Sequence, residues 1–363
     1  VQIIAFPELA ITAYTCMDLF LQETLLRNAE KALLELVGKT ADLDLMAIVG
    51  CPLRSGDQLI NAAVAFQRGE ILGIVPKSYL PNYKEFQEER WFTPASALPD
   101  SVIQIGGRIV PMDSYLLFEY DQVKVGIEIC EDLWVPIPPS SELTMQGANL
   151  IVNLSASNEL IGKHAYLRSL IAQQSARCIA GYVYASAGFG ESSTDLVFGG
   201  NGIIAENGVI LEESERFSMK EQLVISEIDI ENLMNDRRVN TSFMQGYTNH
   251  NLTSATCVPF SLSKHSLQLT RTIDPHPFTP SGNALKERCE EIFHIQGAGL
   301  AKRMMHAHAK TAVVGISGGL DSTLALLVTV MTFDALQLPR EQIIGITMPG
   351  FGTTDRTYTN ACY

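Results

Sequence analysis

Apolar residues along this chain fall into short runs separated by polar turns. Val1 to Phe6, Leu45 to Val49, Ile60 to Phe66, Glu70 to Val75, Val123 to Cys130 and Leu150 to Leu154 each read as a strand. Gly181 to Ala187, Leu196 to Ile204 and Leu223 to Ile230 read the same way. Arg68 and Gly69 sit where a hairpin would turn. Leu19 to Val37 carries leucines at helical spacing, and Leu143 to Gly147 closes a short helix. His164 to Ala180 lines up apolar positions at 167, 170, 171 and 178 on one helical face. Several strands per helix, instead of strict alternation, predict stacked layers of sheet and helix.

Periodicity fades between about 256 and 283, where Ile273 to Gly282 (I-D-P-H-P-F-T-P-S-G) reads as a connector. A helix is then predicted over Ala284 to Lys310, a strand over Thr311 to Ile316 and a tight loop over Ser317 to Ser322. A second helix over Thr323 to Leu336 and a strand over Ile343 to Thr347 follow. That order opens a doubly wound, Rossmann-like nucleotide fold. The expected organisation is an α/β chain with one domain over 1–255, a connector over 256–283 and the first part of a second domain over 284–363. Val1 to Phe6 already reads as a core strand, and Thr353 to Tyr363 breaks off as a helix begins. The chain is therefore expected to be part of something longer.

Composition narrows the class. At 363 residues with 46% hydrophobic residues the chain has ample surface for two cores. Its net charge is −14, from 26 basic and 40 acidic residues, with no run of five or more Lys/Arg. No nucleic-acid footprint is expected from that. Seven scattered cysteines without a CxxC pair read as reduced thiols, and a cytoplasmic location is expected. No apolar run approaches the roughly 18 residues of a membrane span.

Chemistry collects at strand ends in α/β folds, and three such ends carry reactive groups. Glu8 follows Val1 to Phe6, Lys77 follows Ile71 to Val75, and Cys130 closes Val123 to Ile129. A carboxylate, an ammonium and a thiol in such settings suggest a nucleophile with its base and its charge stabiliser. An ammonium beside the thiol is expected to favour thiolate. Each residue alone has a plainer reading, since free cysteine is among the most buried residue types. That plainer reading is kept for Cys16, Cys51, Cys178, Cys257, Cys289 and Cys362. In the second domain, Ser317, Gly318, Gly319, Leu320, Asp321 and Ser322 lie between strand and helix. Two glycines let backbone approach an anion, the helix N-terminus favours negative charge, and Asp321 could help hold Mg2+ near phosphates. The spacing is not that of a Walker loop.

The stretches F-P-E-L, V-P-K-S-Y-L-P-N-Y-K-E-F and G-I-E-I-C-E-D-L-W-V-P resemble the three signatures of the nitrilase superfamily, and S-G-G-L-D-S resembles the pyrophosphate loop of ATP pyrophosphatases. Their fusion in this order is similar to the family of glutamine-dependent NAD synthetases, as are N-L-S-A-S-N, Q-S-A-R-C and G-E-S-S-T-D-L-V-F. The resemblance implies a nitrilase-like α-β-β-α sandwich followed by the start of the Rossmann-like domain. It implies Glu8 as general base, Lys77 as oxyanion stabiliser, Cys130 as nucleophile and Glu85 as a second glutamate positioning the amide. Tyr83, Glu131, Ser157 and Lys163 match positions for binding glutamine. It further implies ATP as co-substrate with Mg2+, nicotinic acid adenine dinucleotide as the acceptor of ammonia, and a homo-oligomer. The competing expectations are a free amidase without synthetase coupling and a non-enzymatic module on a retired amidase fold.

Overall fold

A computed structural model describes residues 1–249, 254–263, 269–276, 278–279, 282, 285–351 and 354–362, the side chains of 244 and 247–249 excepted. The chain divides into two compact units, Val1–Arg271 and Thr272–Tyr363. Of the connector expected over 256–283, residues 264–268, 277, 280–281 and 283 lie outside the described residues, as does Ala284 of the helix expected after it.

The first unit opens with β1 (Ile3–Ala5), a 3-10 segment (Tyr14–Leu21) and α1 (Glu23–Lys39). It continues through β2 (Met46–Ser55), β3 (Gln58–Gln67), β4 (Glu70–Pro76), β5 (Val102–Ile105), β6 (Arg108–Pro111), β7 (Leu116–Tyr120) and β8 (Val123–Ile129). Then come α2 (Pro139–Met145), β9 (Leu150–Ser155), α3 (Lys163–Cys178), β10 (Gly181–Ser186), β11 (Gly202–Glu206) and β12 (Val209–Glu213). α4 (Ile230–Val239), α5 (Thr241–Asn249) and β13 (Thr256–Pro259) complete it. Two sheets result, one ordered β1-β2-β3-β4 and the other β12-β11-β10-β9-β8-β7-β13. Strands β8, β9 and β10 run parallel at the centre of the larger sheet.

Strand pleating decides which residues meet. Alternate positions of one strand face opposite ways. On β2, Met46 and Ile48 join Ala63, Val75, Leu116, Phe118, Val125, Ile127 and Leu154 in one core built from both sheets. The intervening Ala47 and Val49 pack with Ala29, Leu33 and Val37 of α1. On the far face, Leu143 of α2 and Leu167 and Ile171 of α3 pack on Ile151, Tyr182 and Ile203. The layering is helix, sheet, sheet, helix, the nitrilase-like sandwich. Strands covered on both faces lack a polar side, which is why they read as unbroken apolar runs.

Local differences from the sequence reading have local causes. The strand expected over 196–204 forms later, at Gly202–Glu206. The one expected over 223–230 joins no ladder. Instead Val224 and Ile228 lay their side chains over Gly202 and Gly181, and Asp229 caps α4 by accepting from the Asn232 amide at 2.9 Å. The hairpin β5–β6 was not anticipated, although Gly106-Gly107 between V-I-Q-I and R-I-V-P is a turn signal.

The second unit contains α6 (Leu285–Ala307), β14 (Ala312–Gly315), α7 (Leu320–Ala335), β15 (Ile343–Ile346) and α8 (Asp355–Cys362). β14 and β15 pair in parallel across the α7 crossover, as a Rossmann-like opening requires. Helix α7 starts at Leu320, so Leu320, Asp321 and Ser322 form its first turn and not the loop. Among the described residues no helix is long and apolar enough to cross a membrane.

Candidate active site

Glu8 stands just beyond β1, in the seam between the two sheets. The Phe6 amide still bonds Ile48 O at 2.9 Å, while the Glu8 amide reaches Ser155 O at 3.3 Å. Gly50 runs so close behind that any side chain there would overlap the backbone of Pro7 to Leu9, a close approach that only glycine allows. Lys77 follows β4, pinned by its own amide on Asn61 O at 2.9 Å. Glu8 and Lys77 are each 1% exposed.

The Lys77 ammonium lies 2.6 Å from Glu8 Oε1 and 2.7 and 2.8 Å from the two carboxylate oxygens of Glu88. Asn61 donates to Glu8 Oε1 at 2.6 Å, and the Tyr14 hydroxyl donates to Glu88 Oε1 at 2.9 Å. Glu8 Oε2 is buried without a hydrogen-bond partner among the described residues. Asn61 Oδ1 is likewise buried without a partner among the described residues, and of the two the carboxylate oxygen is the basic one. Burial pushes the Lys77 ammonium down, but Glu8 and Glu88 outweigh burial and hold its pKa well above the usual range, so it remains a cation. Burial pushes the Glu88 carboxyl up to about 7, with Lys77 pulling it down and Glu8 pushing it up again.

Cys130 begins the 3-10 turn Cys130–Leu133 instead of closing the strand. Its φ of 46° is left-handed, a conformation that costs a non-glycine residue about 1–2 kcal/mol. Such strain swings the side chain out of the pleat, and the thiol falls within the electrostatic reach of Glu8, Lys77 and Glu88. Burial, the largest influence, and the Glu8 charge push the thiol up; Lys77 opposes them and loses. Lys77 favours the thiolate as expected, but burial and the Glu8 charge outweigh it, and the thiol is raised overall. At 6% exposure, with Glu8 and Glu88 nearby, the sulfur's surroundings favour the thiol over the thiolate.

The remaining sequence candidates gather around the same end of the sandwich. Tyr83 donates its hydroxyl to Glu131 Oε1 at 2.8 Å. Burial raises the Glu131 carboxyl, which this hydrogen bond partly offsets. Glu85 accepts from Asn158 Nδ2 at 2.7 Å and does not reach Lys77; Glu88, three residues on, occupies that place. Lys163 donates to Asn158 Oδ1 and O at 2.8 and 3.0 Å and lies 5.3 Å from the centre of the Trp134 ring. Burial pushes its ammonium down, against the carboxylates of Glu85, Glu159 and Glu131. Ser157 is buried, its amide donating to Ser186 Oγ at 3.2 Å.

In the second unit, Gly318 has a φ of 79° and Gly319 precedes the first turn of α7. The Ser317 and Ser322 hydroxyls lie 3.2 Å apart, and Ser322 Oγ donates to Gly319 O at 2.9 Å. Leu320 and Asp321 are exposed. The Ser317 amide donates to Ser322 Oγ at 3.3 Å and the Gly319 amide to Ser317 Oγ at 3.4 Å, so the loop closes on itself at the N-terminus of α7, an end whose dipole favours negative charge.

Sequence reading missed Glu88, Tyr14, Asn61, Asn153 and Asn158. Glu88 was hidden because K-E-F-Q-E-E-R offers three interchangeable carboxylates. Asn61 and Asn153 carried a signal, since each interrupts an apolar strand, and a buried amide needs a partner.

Carbon-nitrogen hydrolase models match residues 1–238, and NAD synthase models match residues 294–363. The glutamine-dependent NAD(+) synthetase of Mycobacterium tuberculosis is 41% identical over 98% of this chain and 54% of its own length. That of Thermotoga maritima is 30% identical over 99% of this chain and 56% of its own. The chain spans about half the length of the curated relatives it matches. Among solved structures, a glutamine-dependent NAD(+) synthetase from Cytophaga hutchinsonii superposes with a TM-score of 0.56 at 22% identity, covering 100% of this chain and 57% of that one. A carbon-nitrogen hydrolase from Helicobacter pylori superposes at 0.55 and 18% identity, covering 68% and 83%. At those identities the two structures establish the fold.

Proposed function

The chain belongs to the carbon-nitrogen hydrolase family, and on that premise we propose that it hydrolyses glutamine to supply ammonia for ATP-dependent synthesis of NAD. One observation carries the reading. A cationic Lys77 is locked in the dry seam by Glu8 and Glu88, with a strained Cys130 in its field.

Glu8 removes the thiol proton through its free Oε2 as the sulfur attacks the side-chain amide carbon of glutamine. The new oxyanion is met by the Lys77 ammonium, a preorganised charge worth roughly 10²–10³ in rate. Glu8 returns the proton to the departing nitrogen, which leaves as ammonia, and a thioester remains on Cys130. Water then gives a proton to Glu8, attacks the thioester and releases glutamate with the thiol restored. Lys163 suits the α-carboxylate of glutamine, and Glu131 with Tyr83 suits its α-ammonium. Glu85 and Ser157 border this pocket, Glu85 through its bond to Asn158.

In the NAD-forming half, ATP activates the carboxylate of nicotinic acid adenine dinucleotide as an adenylate, pyrophosphate departs, and ammonia displaces AMP. Ser317, Gly318, Gly319, Leu320, Asp321 and Ser322 would receive the ATP phosphates. Mg2+ is commonly held by one or two carboxylates together with phosphate oxygens. A single exposed Asp321 beside two hydroxyls fits that division. Among the described residues no cluster of three His, Cys, Asp or Glu could hold a metal alone. Seven unpaired cysteines support a reducing, cytoplasmic setting, and a homo-oligomer remains part of the reading by family analogy.

A glutamine analogue bearing an electrophile is expected to add its mass to the Cys130 peptide, and its absence there rejects the assignment. Gly318→Val should abolish ATP binding by titration calorimetry while glutamine hydrolysis persists. The new side chain would overlap Thr357 O and occupy a φ that β-branched residues avoid. Unchanged ATP affinity would remove the loop from the proposal.

The pH profile offers a separate check. With its carboxyl raised to about 7, Glu88 ionises only as pH climbs through neutrality, so kcat/KM for glutamine should rise over that range. In Glu88→Gln that ionisation should vanish from the profile. The sign for stability is opposite. From the unfolded carboxylate range up to about 7, the native state keeps a proton that the unfolded chain has lost, so stability falls as pH rises.

A further inference from the structure

Two backbone amides at the end of β8 are turned away from the ladder, and side chains receive them. In register, Ile129 stands opposite Leu154 of β9, and continued pairing would place Cys130 opposite Ser155. Instead the Cys130 amide donates to Asn153 Oδ1 at 3.2 Å, and the Ile129 amide to Asp132 Oδ2 at 2.9 Å. Asp132 Oδ1 also receives the Tyr79 amide at 2.9 Å, two residues beyond Lys77. The nucleophile's turn thus hangs on two fully buried side chains.

The orientation of Asn153 is set from beneath. Its Nδ2 donates to the Tyr182 hydroxyl at 3.1 Å and to Glu128 Oε1 at 3.5 Å, while its Oδ1 also accepts from Ser155 Oγ at 2.7 Å. Glu128 in turn accepts from the Tyr182 hydroxyl and, through Oε2, from the Ser140 amide at 2.9 Å. A flipped amide would set an Nδ2 against the Cys130 N–H and an oxygen against the Glu128 carboxyl. The network therefore permits one orientation, the one that offers an acceptor to Cys130. Glu128 and Asn153 are register partners on neighbouring strands, which explains why a carboxylic acid and an amide interrupt two apolar runs.

We propose that Asn153, oriented by Glu128 and Tyr182, is a positioning residue for the nucleophile: it holds the Cys130 amide in the left-handed turn that aims the sulfur at Lys77 and Glu8. The inference rests on Cys130 being the nucleophile, and it deepens that reading by naming what maintains the strained turn. Without the acceptor, the Cys130 amide is left buried and unpaired, and the turn gains by relaxing toward the extended conformation that would restore ladder pairing.

The test uses the full chain and three measurements: kcat and KM for glutamine hydrolysis, the rate of iodoacetamide capture at the Cys130 peptide, and the thermal melt. Asn153→Leu keeps the volume and removes the acceptor. It should lower kcat by roughly 10²-fold, the usual cost of a misplaced reacting atom, with KM within about threefold and a shifted pH dependence of Cys130 capture. Asn153→Asp with Glu128→Gln re-creates the acceptor and reverses the polarity of its support, and should recover most of the kcat. An Asn153→Leu variant with kcat and capture unchanged overturns the proposal. So does a loss matched only by a lower melt and not recovered in the double variant, since that is a merely structural role. If instead Cys130→Ala retains glutamine hydrolysis, the nucleophile assignment itself has failed.

Discussion

Cys130→Ala is expected to eliminate glutamine hydrolysis, with kcat falling roughly 10⁴- to 10⁶-fold, as when a covalent nucleophile is lost. The melt should hardly move. The side chain loses one buried sulfur, alanine tolerates the left-handed φ no worse than cysteine does, and both backbone straps of the turn remain. A stability change of about 1 kcal/mol is the scale for such a truncation. The Lys77–Glu8–Glu88 cluster keeps all its ion pairs. In a protein carrying a complete synthetase half, free ammonia should still drive NAD formation. Retained glutaminase activity with a normal melt would mean the hydrolytic chemistry lies elsewhere.

Lys77→Met should be the opposite kind of variant, losing activity and stability together. Removing the ammonium takes away the oxyanion's counter-charge, a loss of roughly 10²–10³ in kcat. It also strands Glu8 and Glu88, both about 1% exposed, with no cation between them. Breaking a buried pair from one side typically costs about 3–5 kcal/mol, which should lower the melting temperature by on the order of 10 °C. Adding Glu88→Gln should recover part of that stability, because a buried carboxyl that must take up a proton once Lys77 is gone is replaced by an uncharged amide, and none of the catalysis. Recovery of both together would show that Lys77 acts only as structural support. A Lys77→Met protein with an unchanged melt would show that the ion cluster does not persist in solution.

Much of the fold was legible because the forces that write it are local and periodic. Runs such as Leu150 to Leu154 and Gly181 to Ala187 became β9 and β10 nearly residue for residue. The order β14, α7, β15 in the second unit followed from one strand–loop–helix pattern. Errors fell where a segment's partner lay far along the chain. Residues 223–230 have strand-like composition, yet they join no ladder, and Val224 and Ile228 pack over Gly202 and Gly181 instead.

The candidate site divides along the same line. Glu8, Lys77 and Cys130 were visible as reactive residues at strand ends, and the motifs around them were specific enough to name the chemistry. Those are properties of residue type and nearby spacing, which a linear chain carries in full. Three-dimensional structure alone selected Glu88 over Glu85 as the second carboxylate on Lys77, since which of three near-identical glutamates is buried depends on how the loop after Lys77 folds back. It alone showed the thiol pushed up, because burial between two sheets is a collective property and outweighs one neighbouring ammonium. It also revealed Asn153 beneath Cys130, 23 positions away in sequence yet within one hydrogen bond across adjacent strands.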